Sequence, residues 1–245
     1  MSTTPQTAAA LRRPTLSPLA LNAVVATWLM ALYNATFWGH LFRIFDGRIV
    51  TALIFSAAVW ALMLLVLSLL AVRRAQQPVL ALLIVIAAIT SFYMDTLGVV
   101  IDREMIQNAV TTTVAESKHL ITPQFLTHVG LYGVLPAAAV LWVQVRRRTV
   151  WRALGVWALV TAGAAALVVG LLFTNLKGYS TVLRADKELM GAVQPLAPMS
   201  GALRYAKMML KSTQIVLQPT GTDAKPGPLL AGATKPVLMV IVAGE

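Results

Sequence analysis

Five long apolar runs are the feature that most constrains how this chain can fold. Each run lacks acidic and basic residues near its centre, and short polar connections separate the runs. Apolar runs of about 18 residues or more are typical of transmembrane helices, because a helix satisfies its own backbone hydrogen bonds in lipid. Hydrophobic residues form 58% of the 245 positions and charged residues only 12%, which excludes an ordinary soluble domain. We expect spans at about Leu19–Leu41, Ile49–Val72, Val79–Leu97, Gln124–Val145 and Ala153–Thr174.

The predicted fold is therefore an all-α membrane protein, with five transmembrane helices between residues 17 and 175. Ion-coupled carriers and proton pumps need ionisable groups inside the membrane, and these spans have none near their centres. No internal repeat of the kind used by alternating-access carriers is visible. His40 and His128 lie near predicted span ends, where we interpret them as interfacial or packed side chains. The membrane part is predicted to be an anchor with a face that handles lipids.

Arginines mark alternate connections and predict the orientation of the chain. They cluster at residues 12–13, 73–74 and 146–152. Because cytoplasmic connections carry excess Lys and Arg, the tail at residues 1–16 is predicted to be cytoplasmic, in a bacterial inner membrane. The connection 95–123 and everything after Asn175 then face the periplasm. Two arginines between the first and second spans oppose this assignment but are outnumbered. Such loop arginines account for the net charge of +11, so no nucleic-acid partner is predicted.

The connection between the third and fourth spans, residues 95–123, carries most of the internal polar chemistry of the chain. Its pattern predicts a periplasmic amphipathic helix at about residues 101–121, capped by Asp102. The i, i+4, i+8 spacing aligns an amide, a hydroxyl and a carboxylate, which suit a polar lipid headgroup. These side chains belong to Asn108, Thr112 and Glu116. The spacing alone is also compatible with a different role, in which these three side chains form the solvated face of an interfacial helix and bind no headgroup.

The composition changes after the fifth span. Residues 176–213 are basic and amphipathic, which predicts a helical linker on the membrane surface, with a solvated connector as the alternative. Residues 214–234 are rich in Gly and Pro and are predicted to be a loop. The run VLMVIVAGE within residues 235–245 is typical of a buried parallel strand, yet the sequence offers no partner strand. We therefore expect the sequence to stop as a second, soluble domain begins.

Four pieces of sequence together resemble a known family. They are the pair Tyr33-Asn34, the stretch FYMDTLGVVIDREMIQNAVTTTVAESKHLITPQF from Phe92 to Phe125, the segment 176–213 and the final VLMVIVAGE. In these pieces and in their order, the chain resembles the phosphoethanolamine transferases of Gram-negative inner membranes, which include lipid A modifiers and mobile colistin-resistance enzymes. The resemblance covers nearly the whole chain from about Leu19. It implies that the last residues are the first strand of an α/β domain like alkaline phosphatase.

The resemblance also implies roles for individual residues. Asn108, Thr112 and Glu116 would contribute to a phosphatidylethanolamine site, and Glu245 would ligate zinc. No catalytic residue is expected in this chain, because the family's nucleophilic threonine would lie beyond Glu245. Zinc takes three or four protein ligands and Glu245 is one, so the chain alone is predicted to be inactive.

The implied parent enzyme moves phosphoethanolamine from phosphatidylethanolamine to a lipid A phosphate through a covalent threonine intermediate. Added ethanolamine would lower the negative charge of lipid A and weaken binding of cationic peptides such as polymyxin. Leu176 and the pair Ala185-Asp186 depart from the family's pattern, which leaves open a transferase with another glycan or protein acceptor. A non-enzymatic membrane scaffold that binds phosphatidylethanolamine is the alternative from a different class.

Overall fold

The computed structural model describes residues 13–70, 73–113, 118–146 and 149–212, together with Lys225, Gly227, Val240 and Val242. Helices dominate the described residues. In chain order they are α1 (Pro18–Leu32), α2 (Ala35–Ile44), α3 (Ile49–Leu70), α4 (Gln76–Leu97), α5 (Arg103–Thr111), α6 (Pro123–His128), α7 (Leu135–Trp142), α8 (Val150–Phe173), α9 (Leu176–Ala185), α10 (Lys187–Gly191) and α11 (Leu196–Ser212). A π-helical turn at Val129–Val134 joins α6 to α7, and short 3-10 turns occupy Arg73–Ala75 and Lys118–Leu120. Two short strands, β1 (Thr15–Leu16) and β2 (Gln144–Val145), are the other secondary-structure elements of the described residues.

Four helical segments among the described residues are long and apolar enough to cross a membrane. They are α3, α4, the continuous helix Pro123–Trp142 and α8. The pair formed by α1 and α2 makes a fifth crossing if its two helices are taken as one span. The prediction of an all-α membrane protein is confirmed.

The predicted first span, Leu19–Leu41, is not one straight helix but the two helices α1 and α2. The chain bends by 70° between α1 and α2. The break has a polar cause: Asn34 is 1% exposed, and its side-chain amide donates to the Leu29 carbonyl at 2.8 Å. That carbonyl also accepts from the backbone of Tyr33, so the helix closes at this point.

Hydrogen bonds show which connections lie at the same end of the helices. At one end, β1 and β2 pair in parallel, and Gln76 donates to the Pro18 carbonyl at 2.7 Å. These contacts join the start of α1, the turn before α4 and the segment after α7. At the other end, Thr36 donates to Asp95 Oδ1 at 2.6 Å. The basic connections after α3 and α7 therefore share one end with the start of α1, whereas the polar connection 95–123 lies at the other end.

The buried apolar core and the lipid-facing surface are segregated. Side chains of α1, α2, α3 and α4 form most of the core, and side chains of α7 and the linker add to it. Leu29, Phe37 and Met63 are 0% exposed. Helix α8 packs along α3, where Trp157 donates to the Ser68 carbonyl at 2.8 Å. Within α8, Ala164 is the buried residue, and large apolar side chains cover the rest of its surface. A helix that is apolar on all sides is stable when lipid surrounds it, and unstable when water does.

The helix predicted at residues 101–121 begins as expected but is much shorter. Asp102 caps α5, and its Oδ1 accepts from the backbone nitrogens of Glu104 at 3.0 Å and Met105 at 2.9 Å. The helix ends at Thr111, and Thr112 is extended with ψ 136°. Thr111 and Thr112 both donate side-chain hydrogen bonds to the Asn108 carbonyl. Hydroxyls that bond back to the backbone compete with helix propagation, which is why the threonine run stops α5.

The linker at residues 176–212 consists of the three helices α9, α10 and α11. Asp186 separates the first two because its Oδ1 accepts from the Leu189 backbone nitrogen at 3.0 Å and caps α10. Contacts divide the chain after Lys207 into a larger unit that holds the spans and a smaller one from Met208. The predicted loop 214–234 and strand 235–245 lie outside the described residues, apart from four isolated positions.

Candidate functional site

Asn108 and Thr112 meet at the end of α5. The Thr112 hydroxyl donates to the Asn108 carbonyl at 2.6 Å, and the Thr112 backbone nitrogen donates to the same oxygen at 2.8 Å. Asn108 is exposed and Thr112 is half-buried. Glu116 and Glu245 lie outside the described residues, so the roles assigned to them stay predictions.

This helix end suits a ligand with a positive charge. The last carbonyls of a helix carry partial negative charge, which favours an exposed cation by about 0.3–1 kcal/mol. The Thr112 oxygen keeps lone pairs after donating its proton, and the Asn108 amide offers an acceptor and two donors. The pair can therefore accept hydrogen bonds from an ammonium group while Asn108 donates to a phosphate oxygen.

Glycines bring the linker helices close to the segment that leads into α5. A Cβ atom on Gly201 of α11 would lie 2.9 Å from the backbone carbon of Asp102 and 3.0 Å from Cδ1 of Ile106. A Cβ on Gly191 of α10 would lie 2.7 Å from Cγ1 of Val100. These separations are shorter than an ordinary van der Waals contact. The linker therefore packs directly on the start of the helix that carries Asn108.

A buried polar cluster fixes the linker to the spans. The Gln194 backbone nitrogen donates to Asn34 Oδ1 at 2.7 Å, and Asn34 Nδ2 donates to the Gln194 carbonyl at 3.1 Å. Thr90 of α4 donates to the Gln194 side-chain oxygen at 2.6 Å. Sequence reasoning missed this cluster, although the Tyr33-Asn34 pair had marked one side of it. Partners 160 residues apart leave no local periodicity to detect.

An aromatic cluster surrounds His128 near the same end of the spans. The imidazole ring lies 4.8 Å from the Tyr132 ring and 5.3 Å from the Phe92 ring. Phe125 contacts Phe92 at 5.4 Å between ring centroids. Nε2 of His128 is buried and has no hydrogen-bond partner among the described residues. The interpretation of His128 as a packed side chain agrees with these contacts.

The other predicted interfacial histidine, His40, has charged neighbours that the sequence did not predict. Its Nδ1 lies 3.5 Å from Oδ2 of Asp186, and Glu188 belongs to the same group of side chains. Asp186 was noted as a departure from the family's pattern, but nothing in the sequence connected it to α2.

A protein-family profile described as "Phosphoethanolamine transferase EptA/EptB" matches residues 59–210, more than half of the chain. The chain belongs to the phosphoethanolamine transferase family. The matched range begins within α3 and ends within α11, so it includes the polar connection with Asn108 and most of the linker. The resemblance noted in the sequence is confirmed.

Individual phosphoethanolamine transferases agree with this assignment. Phosphatidylethanolamine transferase Mcr-1 of Escherichia coli is 30% identical over 95% of this chain and 44% of its own length. Phosphoethanolamine transferase EptA of Escherichia coli K12 is 27% identical over 96% of this chain and 44% of its own length. The solved structure of the integral membrane protein lipooligosaccharide phosphoethanolamine transferase A from Neisseria meningitidis has the same fold, with a TM-score of 0.77 and 21% identity. That comparison covers 85% of this chain and 41% of the Neisseria chain. The chain thus spans less than half the length of these transferases.

Proposed function

We propose that this chain is the membrane domain of a zinc-dependent transferase that moves phosphoethanolamine from phosphatidylethanolamine to a lipid A phosphate. The transfer would pass through a covalent threonine intermediate in a catalytic domain outside this chain. Within the chain, Asn108, Thr112 and Glu116 would bind the headgroup of the donor lipid. The observation that carries this proposal is the meeting of Asn108 and Thr112 at the carboxyl end of α5, a helix that the linker packs against.

The chemistry of the headgroup matches that of the site. Ethanolamine carries a primary ammonium group, which needs hydrogen-bond acceptors and negative potential. The helix carbonyls, the Thr112 oxygen and the Asn108 side-chain oxygen supply acceptors, and Glu116 would add a full negative charge. The adjoining phosphodiester needs donors, for which the Asn108 amide nitrogen is suited. A headgroup with both charges therefore uses both halves of the Asn108 amide.

Membrane attachment would serve both steps of the transfer. Donor and acceptor are both lipids, so holding the enzyme in their leaflet raises their effective concentration at the site. We propose a bacterial inner membrane with the N-terminus in the cytoplasm and the C-terminus in the periplasm. The placement of the basic connections at one end of the helices and the polar connection at the other supports this orientation.

Zinc is part of the proposal for the whole transferase. Glu245 would supply one carboxylate oxygen, and zinc needs at least two further protein ligands. Glu245 itself lies outside the described residues.

Binding of phosphatidylethanolamine tests the proposal directly. The 245-residue chain, purified in detergent, would be titrated with short-chain phosphatidylethanolamine by isothermal calorimetry, with phosphatidylglycerol as the comparison lipid. We expect selective binding of phosphatidylethanolamine and a loss of roughly five- to tenfold in affinity for Asn108→Ala and Glu116→Ala, as expected for one charged or polar contact. Thr112→Val should weaken binding less, because the backbone nitrogen of residue 112 still donates to the Asn108 carbonyl.

The matched control is Gln107→Ala, which removes an exposed amide from the same helix one position away. This variant should bind as tightly as the parent chain. Equal affinities for the parent, Asn108→Ala and Glu116→Ala would contradict the proposed headgroup site.

A further inference from the structure

Three side chains of metal-ligating type converge where α2 meets the junction of α9 and α10. His40 lies on α2, and Asp186 and Glu188 lie at the start of α10. Their ligand atoms all lie within 4.8 Å of one another. None of the three belongs to the headgroup site proposed above, so headgroup binding does not account for this group of side chains.

The spacing of the first two ligand atoms fits a shared metal ion. Zinc bonds histidine nitrogen and carboxylate oxygen at about 2.0–2.2 Å, which places neighbouring ligands of a tetrahedral ion about 3.4 Å apart. His40 Nδ1 and Asp186 Oδ2 are 3.5 Å apart. Glu188 is exposed, and its carboxylate oxygen lies within 4.8 Å of both other ligand atoms.

The backbone around the group is held firmly by buried neighbours. Leu41, next to His40, and Leu189, next to Glu188, are both 0% exposed. Asp186 uses Oδ1 to accept from the Leu189 backbone nitrogen, which leaves Oδ2 directed towards His40. The side chains of His40 and Asp186 are 17% and 22% exposed, so an ion can reach them from solvent. The side chains of His40 and Asp186 are thus positioned before any ion arrives.

The charges in the group also favour a cation. Asp186 and Glu188 together contribute −2, and Arg43, with Nη2 3.1 Å from His40 Nδ1, contributes +1. A neutral imidazole with its lone pair on Nδ1 is the form that ligates a metal through that nitrogen. Arg43 is exposed and can turn away when an ion takes its place.

We propose that His40, Asp186 and Glu188 bind a divalent cation of the zinc type, and that this ion clamps α10 to α2. One imidazole and two carboxylates are ligands that suit zinc, and water would complete the coordination. The bound ion would tie the linker to the bent helix pair, beside the buried contact of Asn34 with Gln194.

Metal titration of the 245-residue chain in detergent tests this site. Zinc binding would be measured by calorimetry, and cobalt would serve as a probe whose visible absorption reports nitrogen and oxygen ligation. We expect one saturable site, with affinity lowered at least about tenfold by His40→Gln, Asp186→Asn or Glu188→Gln. Asp186→Asn preserves the helix cap and Glu188→Gln alters an exposed side chain, so these two variants should fold normally.

Controls separate the site from adventitious binding. His119→Gln removes an exposed histidine elsewhere and should bind zinc as the parent does. Arg43→Gln should bind zinc more tightly, because a competing positive charge is lost.

Absence of a saturable site, or equal affinity in the parent and Glu188→Gln, would overturn the assignment. The clamp has its own readout: zinc should slow trypsin cleavage at Lys187 in the parent but not in Glu188→Gln. Equal protection of both chains would contradict the clamp.

Discussion

Asn34 and Gln194 exchange two hydrogen bonds although 160 residues separate them in sequence. The Asn34 side chain accepts from the Gln194 backbone nitrogen and donates to the Gln194 carbonyl, and both residues are at most 1% exposed. One amide side chain thus satisfies the backbone of a buried turn between α10 and α11. The same residue forms the break between α1 and α2, so the bend of the first span and the docking of the linker depend on one side chain.

Replacing Asn34 tests this double role. Asn34→Ala leaves the Gln194 N–H and C=O without their partner in a buried place, at a cost of about 1–3 kcal/mol for each unsatisfied group. We expect a lower unfolding midpoint in detergent and faster trypsin cleavage within α9 and α10. Gln107→Ala, which removes an exposed amide, is the control and should change neither quantity. Cleavage of Asn34→Ala at the parent's rate would contradict the anchoring role.

The close approach of α11 to α5 predicts opposite effects for two glycine substitutions. Gly201→Ala would place a Cβ 2.9 Å from the Asp102 backbone carbon, and such overpacking costs about 1–3 kcal/mol. Gly163→Ala, in α8, meets nothing within 4 Å and should be neutral or stabilising, because alanine favours helices. Thermal unfolding in detergent compares them. A Gly201→Ala chain as stable as Gly163→Ala would show that the two helices do not depend on this contact.

The Asp102 cap predicts an effect on headgroup binding from a residue that does not touch the headgroup. Asp102→Ala removes the acceptor of two backbone N–H groups and should destabilise α5 by about 0.5–2 kcal/mol. Affinity for phosphatidylethanolamine should fall, because α5 holds Asn108 and Thr112 in place. Asp102→Asn keeps the cap and should restore most of the affinity. A loss of affinity that is equal in both variants would point to the charge of Asp102 rather than to its cap.

The absence of cysteine makes the orientation simple to measure. Gln107→Cys places one exposed thiol in α5, and Gln144→Cys places one at the opposite end, in β2. With the polar connection in the periplasm, a membrane-impermeant maleimide should label intact cells of Gln107→Cys but not of Gln144→Cys. After lysis, both thiols should react. Labelling of Gln144→Cys alone in intact cells would reverse the proposed orientation.

Several features of the fold could be predicted from the sequence because their causes are local. The aliphatic runs of α3, α4 and α8 predict spans, since a continuous apolar helix has few other stable environments. Asp102 predicts the start of α5 because a cap acts on the next turn of its own helix. The end of α5 was predicted wrongly, since the apolar periodicity continues past residue 111 while the threonine hydroxyls bond to the backbone.

For the candidate headgroup residues too, the sequence predicted local features correctly but not the end of the helix. The spacing predicted that Asn108 and Thr112 lie on one face of a helix. The two residues are hydrogen-bonded, but Thr112 lies beyond the helix end, where an extended residue donates to the Asn108 carbonyl. The neighbours of His40 could not be predicted at all, because Asp186 lies 146 residues away. Local patterns carry no information about which distant side chains share a surface.

By itself, the sequence determined that this chain crosses a membrane, which connections are basic, and that it resembles the phosphoethanolamine transferases. These properties depend on the composition of contiguous segments, and lipid acts on each segment separately. Only the tertiary structure decided the bend at Asn34, the packing of Gly201 on Asp102, and the meeting of His40 with Asp186. Those contacts form because buried polar groups from distant segments hydrogen-bond to one another and because helices pack closely. Both depend on residues far apart in sequence, so no single stretch of the chain predicts them.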